Sequence, residues 1–173
     1  MTSPDADSHY QNVELTMKGW QTYDSLKRGV ATGRKGFMAM PFGAMPFGRS
    51  DLDDTILKIA KKAATDCGFD LRRTDDQPVP GNIDAQIRVA IKEARFVVAD
   101  LTFGNLGAYW EAGFAEGLGK PVIYTVRKDH EADVHFDTAH LSRVVWESDK
   151  LDVALAQLKA MLRNALPDAV HED

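Results

Sequence analysis

The chain has 173 residues, of which 44% are hydrophobic and 27% are charged, and its formal net charge is −5. This length suits one domain with a full hydrophobic core, and the composition is ordinary for a globular protein. The mildly acidic charge argues against a broad surface for nucleic acid or for an anionic membrane. No apolar run is long enough to span a bilayer, the first nine residues are unlike a signal peptide, and Cys67 has no second cysteine to pair with. We therefore expect a cytoplasmic protein.

The N-terminal part is predicted to lie outside the core. Residues 1–12 are polar and are expected to be disordered. Aromatic residues recur at helical spacing within 17–28, which predicts a short amphipathic helix. The expected domain limits are 1–35 for this tail, helix and linker, 36–167 for an α/β domain, and 168–173 for a C-terminal tail.

Apolar runs and helical stripes alternate through the first half of the core. The short apolar run 36–40 predicts a buried strand. Segment 50–68 carries one apolar stripe and ends on a glycine, which predicts a helix. A weaker strand is predicted at 69–73, and isoleucines spaced four apart predict a helix over 83–94.

The second half continues the alternation. Segment 95–101 is nearly continuous in β-branched and apolar residues, as in a strand covered on both faces. A helix is predicted at 106–118, strands at 121–126 and 143–146, and a leucine-striped helix at 151–166.

This order of elements predicts βαβ units and therefore a parallel sheet. The expected fold class is α/β, a small doubly wound, mostly parallel five-stranded sheet in a flavodoxin-like or Rossmann-like three-layer sandwich. Segment 128–142 interrupts the pattern, because it has no helical stripe. A long polar loop in a compact domain is often functional.

Ligands bind outside the C-terminal ends of the strands in such sheets. This rule predicts that a ligand binds at the loops that follow the strands, which are 40–48, 74–82, 100–109 and 127–140. The candidate ligand-binding residues on these loops are Met40, Pro41, Phe42, Gly43, Asp76, Asn82, Thr102, Asn105, Tyr109, His135 and Asp137.

Two carboxylates are the candidate catalytic residues. Asp100 ends a predicted strand and Glu111 lies in the first turns of the next helix, so we expect both to point to one crevice. The helix dipole should keep Glu111 ionised, and an ionised carboxylate suits a nucleophile or a partner of an oxocarbenium-like centre. A solvated Glu111 and a strand-terminating Asp100 are the ordinary structural alternatives.

Other site types are not predicted. The first loop has neither a Gly-x-Gly-x-x-Gly motif nor a Walker lysine, so no dinucleotide or P-loop fingerprint is present. The histidines of 128–142 lack a metal-ligand spacing. We therefore expect neither a metal nor a bound cofactor.

Several motifs together resemble those of a known superfamily. They are the run from Ile87 to Thr102, Tyr109-Trp110-Glu111-Ala112-Gly113, Gly119-Lys120-Pro121-Val122 and the opening Met38-Ala39-Met40-Pro41-Phe42. This set resembles the nucleoside 2-deoxyribosyltransferase-like superfamily, whose layout is shared by TIR-like and other nucleotide-binding domains. The resemblance covers roughly residues 36–165.

The resemblance implies a nucleoside, nucleotide or NAD-like ligand. It places the nucleophile that attacks the anomeric carbon at Glu111, and it implies that Asp100 orients the ribose or base. The loop from Met40 to Gly43 would line the base or phosphate end, and Tyr109 would position the sugar. Members of the resembled families often oligomerise, so we also expect self-association.

Three function classes follow from these observations. The leading hypothesis is an enzyme, an N-glycosidase or deoxyribosyltransferase, that cleaves or transfers an N-glycosidic bond. The alternative is a non-catalytic nucleotide-sensing or signalling effector module that uses the same crevice. A structural oligomerisation domain is the third.

Overall fold

The structure is a computed structural model that describes residues 16–27, 33–40, 50–76, 81–138 and 140–171. None of the helices in these ranges combines the length and the apolar character that crossing a bilayer requires.

One five-stranded sheet forms the centre of the molecule. All four strand pairings are parallel, and the strand order is β2-β1-β3-β4-β5. This order is that of flavodoxin-like sheets and confirms the predicted fold class. The strands are β1 (Lys35–Ala39), β2 (Asp70–Arg72), β3 (Phe96–Asp100), β4 (Val122–Arg127) and β5 (Arg143–Trp146).

The described residues form five α-helices, close to the predicted positions, of which α2 to α5 pack on the sheet. They are α1 (Met17–Lys27), α2 (Ser50–Asp66), α3 (Ile83–Glu93), α4 (Leu106–Gly117) and α5 (Leu151–Ala165). The segment between β4 and β5, for which no helical stripe was found, contains two short 3-10 helices, Lys128–Asp133 and Phe136–Thr138.

The side chains of the strands divide the core into two layers. In β3, Phe96 and Val98 point to the layer of α2 and α5, whereas Val97 and Ala99 point to the layer of α3 and α4. This alternation follows from the two-residue period of a strand. Because both faces are covered, β3 is buried along its whole length.

Local sequence signals set several helix ends. Helix α2 is followed by Gly68 at φ +82°, a left-handed conformation that favours glycine after a helix. Asn82 caps α3 by accepting hydrogen bonds from the backbone of Asp84 and Ala85. Asn105 caps α4 by accepting one from Gly107.

The chain after α5 packs back on the domain. Ala169 joins the core, and the Val170 N–H donates to the Cys67 carbonyl. Asp168 forms ion pairs with Arg34 and Arg95. These contacts tie the C-terminal residues to the residue before β1, the residue before β3 and the end of α2. The buried Cys67 is a packing residue, as expected from the sequence.

Gly36 gives the first testable prediction. A Cβ atom at this position would overlap the ring of Phe96, which is fully buried and packed edge-to-face on Phe69. Because the ring has no free space to enter, we expect Gly36→Ala to lower the free energy of unfolding by about 2 kcal/mol. Urea denaturation would measure the loss.

Gly113→Ala is the matched control. Gly113 is an exposed residue inside α4, and a Cβ atom there meets no atom within 4 Å. Alanine favours a helix interior, so this variant should be as stable as the parent or more stable by up to about 1 kcal/mol. Equal midpoints for the two variants would contradict the assigned packing of Phe96 on Gly36.

Candidate functional site

The C-terminal ends of the strands define the edge at which a ligand is expected. The strand order reverses between β1 and β3, and this switch point is where open α/β sheets form their ligand crevice. Helix α4 leads away from β3 and packs on β3, β1 and α3. The side chains of α4 that face the sheet are therefore placed beside the switch point.

Glu111 is the acidic residue on that face of α4. The buried residues of the helix are Ala108, Glu111, Ala112 and Ala115, which form one stripe at helical spacing. Glu111 lies between the alanines of the stripe and Phe114, whose ring is covered by Arg88 of α3. The Glu111 side chain therefore lies on the flank of α4 that faces α3 and β1.

The Glu111 carboxyl group has no partner among the described residues. The residue is 8% exposed and makes no hydrogen bond or ion pair in the part of the chain that the structure describes. Its oxygens are not among the fully enclosed polar atoms, so they keep contact with solvent. An unpaired, nearly buried carboxyl group is rare in folded proteins.

Burial raises the pKa of Glu111 to about 7. The direction of this shift is opposite to the one that a helix dipole favours. Its cause is the removal of water, which destabilises the charged form. Near neutral pH the group exists in both protonation states, which is the range in which a carboxyl group transfers protons efficiently.

Asp100 occupies a different environment, at the buried end of β3. Its Oδ2 accepts hydrogen bonds from the Thr125 hydroxyl at 2.6 Å and from Trp146 Nε1 at 3.1 Å. Its Oδ1 accepts one from the Thr102 N–H at 3.1 Å. Burial raises the pKa of Asp100, and these three hydrogen bonds oppose the rise. The carboxylate joins the ends of β3, β4 and β5.

The two carboxyl groups extend to opposite faces of the sheet, although the sequence predicts that both point to one crevice. Asp100 follows Phe96 and Val98 on the strand face that looks to α2 and α5, and its partner Trp146 belongs to that layer. Glu111 extends from α4 on the opposite face. Two residues at either end of a βα turn can point to different sides of a sheet. The two-residue period of the strand sets the direction of the first side chain, and the helix sets the direction of the second.

The turn after Asp100 is held by its own side chains. The Thr102 hydroxyl accepts a hydrogen bond from the Arg127 N–H at 3.0 Å, and Asn105 is engaged as the cap of α4. Phe103 adopts φ 67°, a left-handed conformation that is costly for a bulky residue. Thr102 and Asn105, both candidate ligand contacts, thus have structural roles in this turn.

Three further residues, Phe103, Arg127 and His130, meet at this edge of the sheet and were not among the candidate ligand-binding residues. The Arg127 guanidinium lies 5.1 Å from the centre of the Phe103 ring, and the His130 ring lies 4.3 Å from it. Arg127 also pairs with Asp129 through two hydrogen bonds. The signal in the sequence was the polar segment after β4, but nothing in its spacing indicates contact with Phe103.

Tyr109, His135 and Asp137 come together on the other side of α4. The Tyr109 hydroxyl accepts a hydrogen bond from the His135 N–H at 2.9 Å, and the Asp137 N–H donates to His135 Nδ1 at 3.3 Å. Tyr109 and Glu111 are two positions apart, which is about 200° around a helix. The three residues therefore lie away from the Glu111 carboxyl group.

The remaining candidates are dispersed. Met40 is 4% exposed and packs in the layer of α2 and α5, and Asn82 is engaged as a helix cap. Burial works against ionisation of Asp76, but hydrogen bonds from the Arg73 N–H and the Lys61 amine outweigh it and lower the pKa. Pro41, Phe42 and Gly43 lie outside the described residues.

Three main clefts are formed by the described residues, and Glu111 lines none of them. They lie beside α3 and β2, beside Lys61 and Asp70, and between Arg127 and Glu147. Within the same ranges, no group of three or more His, Cys, Asp or Glu side chains is arranged to hold a metal ion.

No model of a known protein family matches the sequence, and no curated protein matches it. Among solved structures, the fold is similar to that of a 2-deoxyribosyltransferase from the psychrotolerant bacterium Bacillus psychrosaccharolyticus. The two chains are 19% identical, the match covers 72% of this chain and 95% of that one, and the TM-score is 0.49. At this identity and TM-score, the likeness does not assign an activity to the present chain.

Proposed function

We propose that the chain binds a nucleoside, nucleotide or NAD-like ligand at the switch point and cleaves or transfers its N-glycosidic bond through Glu111. The observation that carries the proposal is the nearly buried Glu111 carboxyl group, which lacks a partner among the described residues and has a pKa of about 7. Carboxyl groups with raised pKa values at the ligand edge of a fold are candidates for catalysis.

The chemistry follows from the two protonation states of Glu111. The ionised carboxylate attacks C1′ of the sugar, and the leaving group departs with the electron pair of the C1′–N bond. A nucleobase then takes up a proton from water, whereas nicotinamide leaves neutral and needs none. Water or a second base then displaces the carboxylate from C1′, which restores the enzyme. Because only the ionised form attacks, the rate should rise as the pH increases through about 7.

The sequence supports the same assignment. The motif Tyr109-Trp110-Glu111-Ala112-Gly113 resembles the element that carries the nucleophile in nucleoside 2-deoxyribosyltransferases. Asp100 supports the site as a positioning residue, because it fixes the turn from which α4 and Glu111 begin.

A nucleotide-sensing module is the second candidate. One observation favours it: the oxygens of Asp100 accept hydrogen bonds from three protein donors, so Asp100 is not available as a second catalytic carboxylate. A single carboxyl group that accepts hydrogen bonds from ribose hydroxyls would be enough for binding without turnover.

The test is chromatography of nucleosides, nucleotides and NAD after incubation with the parent protein, Glu111→Gln and Glu116→Gln. We expect free base or nicotinamide from the parent and none above the protein-free blank from Glu111→Gln. Glu116 is the matched control, because it is an exposed glutamate on the same helix. Glu116→Gln should therefore retain the activity.

Each other outcome has a defined meaning. Product from Glu111→Gln at the parent rate would remove Glu111 from the mechanism. Absence of product from every protein, together with calorimetric binding of a nucleotide, would support the sensing module in place of the enzyme.

A further inference from the structure

A cleft of about 430 Å³ lies beside α3, separated by this helix from Glu111. Helix α3 packs on β1 and α4 but has at most marginal contact with the edge strand β2. The face of β2 on this side of the sheet is therefore left without a covering helix. We call this space the α3 cleft, and its volume is within the range of small-molecule sites.

The wall and floor of the α3 cleft are largely apolar. Phe37 of β1 lies at the floor, and Ala85, Val89 and Ala90 line the α3 side. Val89 is 54% exposed, although it lies on the side of the helix that faces the cleft. An exposed valine in a concave apolar surface is stabilised when a ligand covers it.

Basic side chains border this apolar surface. The lining contains Lys35, Arg72 and Arg73 against only Asp76 and Glu93 as acids. Arg72 pairs with Asp70 at 2.6 Å, but both side chains are about half exposed, at 45% and 54%. Ion pairs this exposed are weak, so a ligand anion can compete for the Arg72 guanidinium, which offers a planar fork of donors.

Three of the other charges at the cleft are held in ion pairs. Lys35 pairs with Glu93 at 3.0 Å. Asp76 pairs with Lys61 at 2.7 Å, which neutralises this acid. Arg72 lies in β2 and is directly paired in register with Phe37, which places a basic group beside the apolar floor.

We propose that the α3 cleft is a binding site for a small aromatic anion, whose ring covers Phe37 and Val89 and whose anionic group pairs with Arg72. The site is independent of the function proposed for Glu111, because α3 separates the two and no turnover is involved. The ligand class combines the two features of the lining, an apolar surface of ring size and one adjacent guanidinium.

The test is a fluorescence titration of the full chain with 8-anilinonaphthalene-1-sulfonate and with the uncharged N-phenyl-1-naphthylamine. We expect the parent to bind the sulfonate more tightly than the uncharged probe. Val89→Glu should weaken sulfonate binding about tenfold or more, because it places a like charge in the wall. Arg72→Gln should remove the preference for the sulfonate and leave binding of the uncharged probe unchanged.

Val153→Glu is the matched control. Val153 is 48% exposed on α5, which lies on the other face of the sheet, so this variant should bind both probes as the parent does. Val89→Trp, which fills the cleft without adding charge, should also block binding. Thermal unfolding of every variant should be cooperative, which would show that the probes bind the folded protein.

Equal sulfonate affinity in Val89→Glu, Val89→Trp and Val153→Glu would overturn the site. Loss of the sulfonate preference in Val153→Glu but not in Arg72→Gln would overturn the role of Arg72. Catalytic results with Glu111 variants leave both conclusions untouched.

Discussion

Replacing Glu111 by glutamine is expected to stabilise the protein above pH 7 and to change its stability little near pH 4. Burial raises the pKa of Glu111 from 4.5 to about 7 in the folded protein, so the folded state holds a proton that the unfolded chain has already lost. The favourable contribution of the neutral carboxyl group is complete below pH 4.5 and is lost as the pH rises through 7. Glutamine resembles the neutral form at every pH.

The size of this effect follows from the difference in pKa. A difference of two to three pKa units corresponds to about 3 kcal/mol, since each unit is worth about 1.4 kcal/mol. Urea denaturation at pH 4 and at pH 8.5 would measure the difference between the parent and Glu111→Gln. We expect it to grow by about 3 kcal/mol between these pH values.

Glu116→Gln is again the control for this measurement. The Glu116 side chain is exposed and accepts a hydrogen bond from the Tyr124 hydroxyl at 3.1 Å, which the glutamine oxygen can also accept. Its effect should therefore be small at both pH values. A pH-independent difference for Glu111→Gln would show that the carboxyl group is solvated in the folded protein.

Replacing Asp100 by asparagine is expected to lower the free energy of unfolding by about 3 kcal/mol, because buried donors lose their acceptor. Oδ2 accepts from Thr125 and Trp146, and Oδ1 accepts from the Thr102 N–H. Whichever of the two oxygens the asparagine amide nitrogen replaces, it faces at least one hydrogen-bond donor and cannot accept from it. The Thr125 hydroxyl can reverse its role, whereas the indole and the backbone N–H cannot.

Chemical denaturation of Asp100→Asn and Asp70→Asn would test this prediction. Asp70 also lies in a strand, but its side chain is 54% exposed and, among the described residues, pairs with Arg72 alone. Such a pair contributes about 0–1 kcal/mol, so Asp70→Asn should be nearly neutral. Similar losses in the two variants would mean that the hydrogen bonds of Asp100 add no more stability than a surface ion pair.

The arrangement of Asp100 and Glu111 limits how a ligand can use them. Asp100 fixes the turn that leads to α4, whereas the Glu111 carboxyl group, on the opposite face of the sheet, has no partner among the described residues. The two carboxylates therefore have separate tasks in the proposed site. Loss of Asp100 should affect the folded state first, whereas loss of Glu111 should affect the chemistry.

The elements of the fold were predictable because their signals are local. The apolar run at 95–101 predicted the central strand, the glycine at 68 predicted the end of α2, and the βαβ order predicted parallel pairing. Strand and helix periods are set by the backbone of each segment, so they appear in a sequence without knowledge of its partners.

The sequence prediction placed Tyr109 beside Glu111, as the residue that positions the sugar. The two residues are two positions apart on a helix, a spacing that places them on different sides. In the structure Tyr109 contacts His135, while Glu111 lies on the stripe that packs on the sheet.

The sequence by itself determined the five strands, their helices, the parallel sheet and Glu111 as the leading acidic candidate. The tertiary structure alone decided the partners of Asp100, because Thr125 and Trp146 are 25 and 46 positions away. It also decided the pKa of Glu111, because desolvation depends on which elements close over the carboxyl group. Contacts between distant segments depend on how the helices and the sheet pack together, and a local sequence pattern does not predict them.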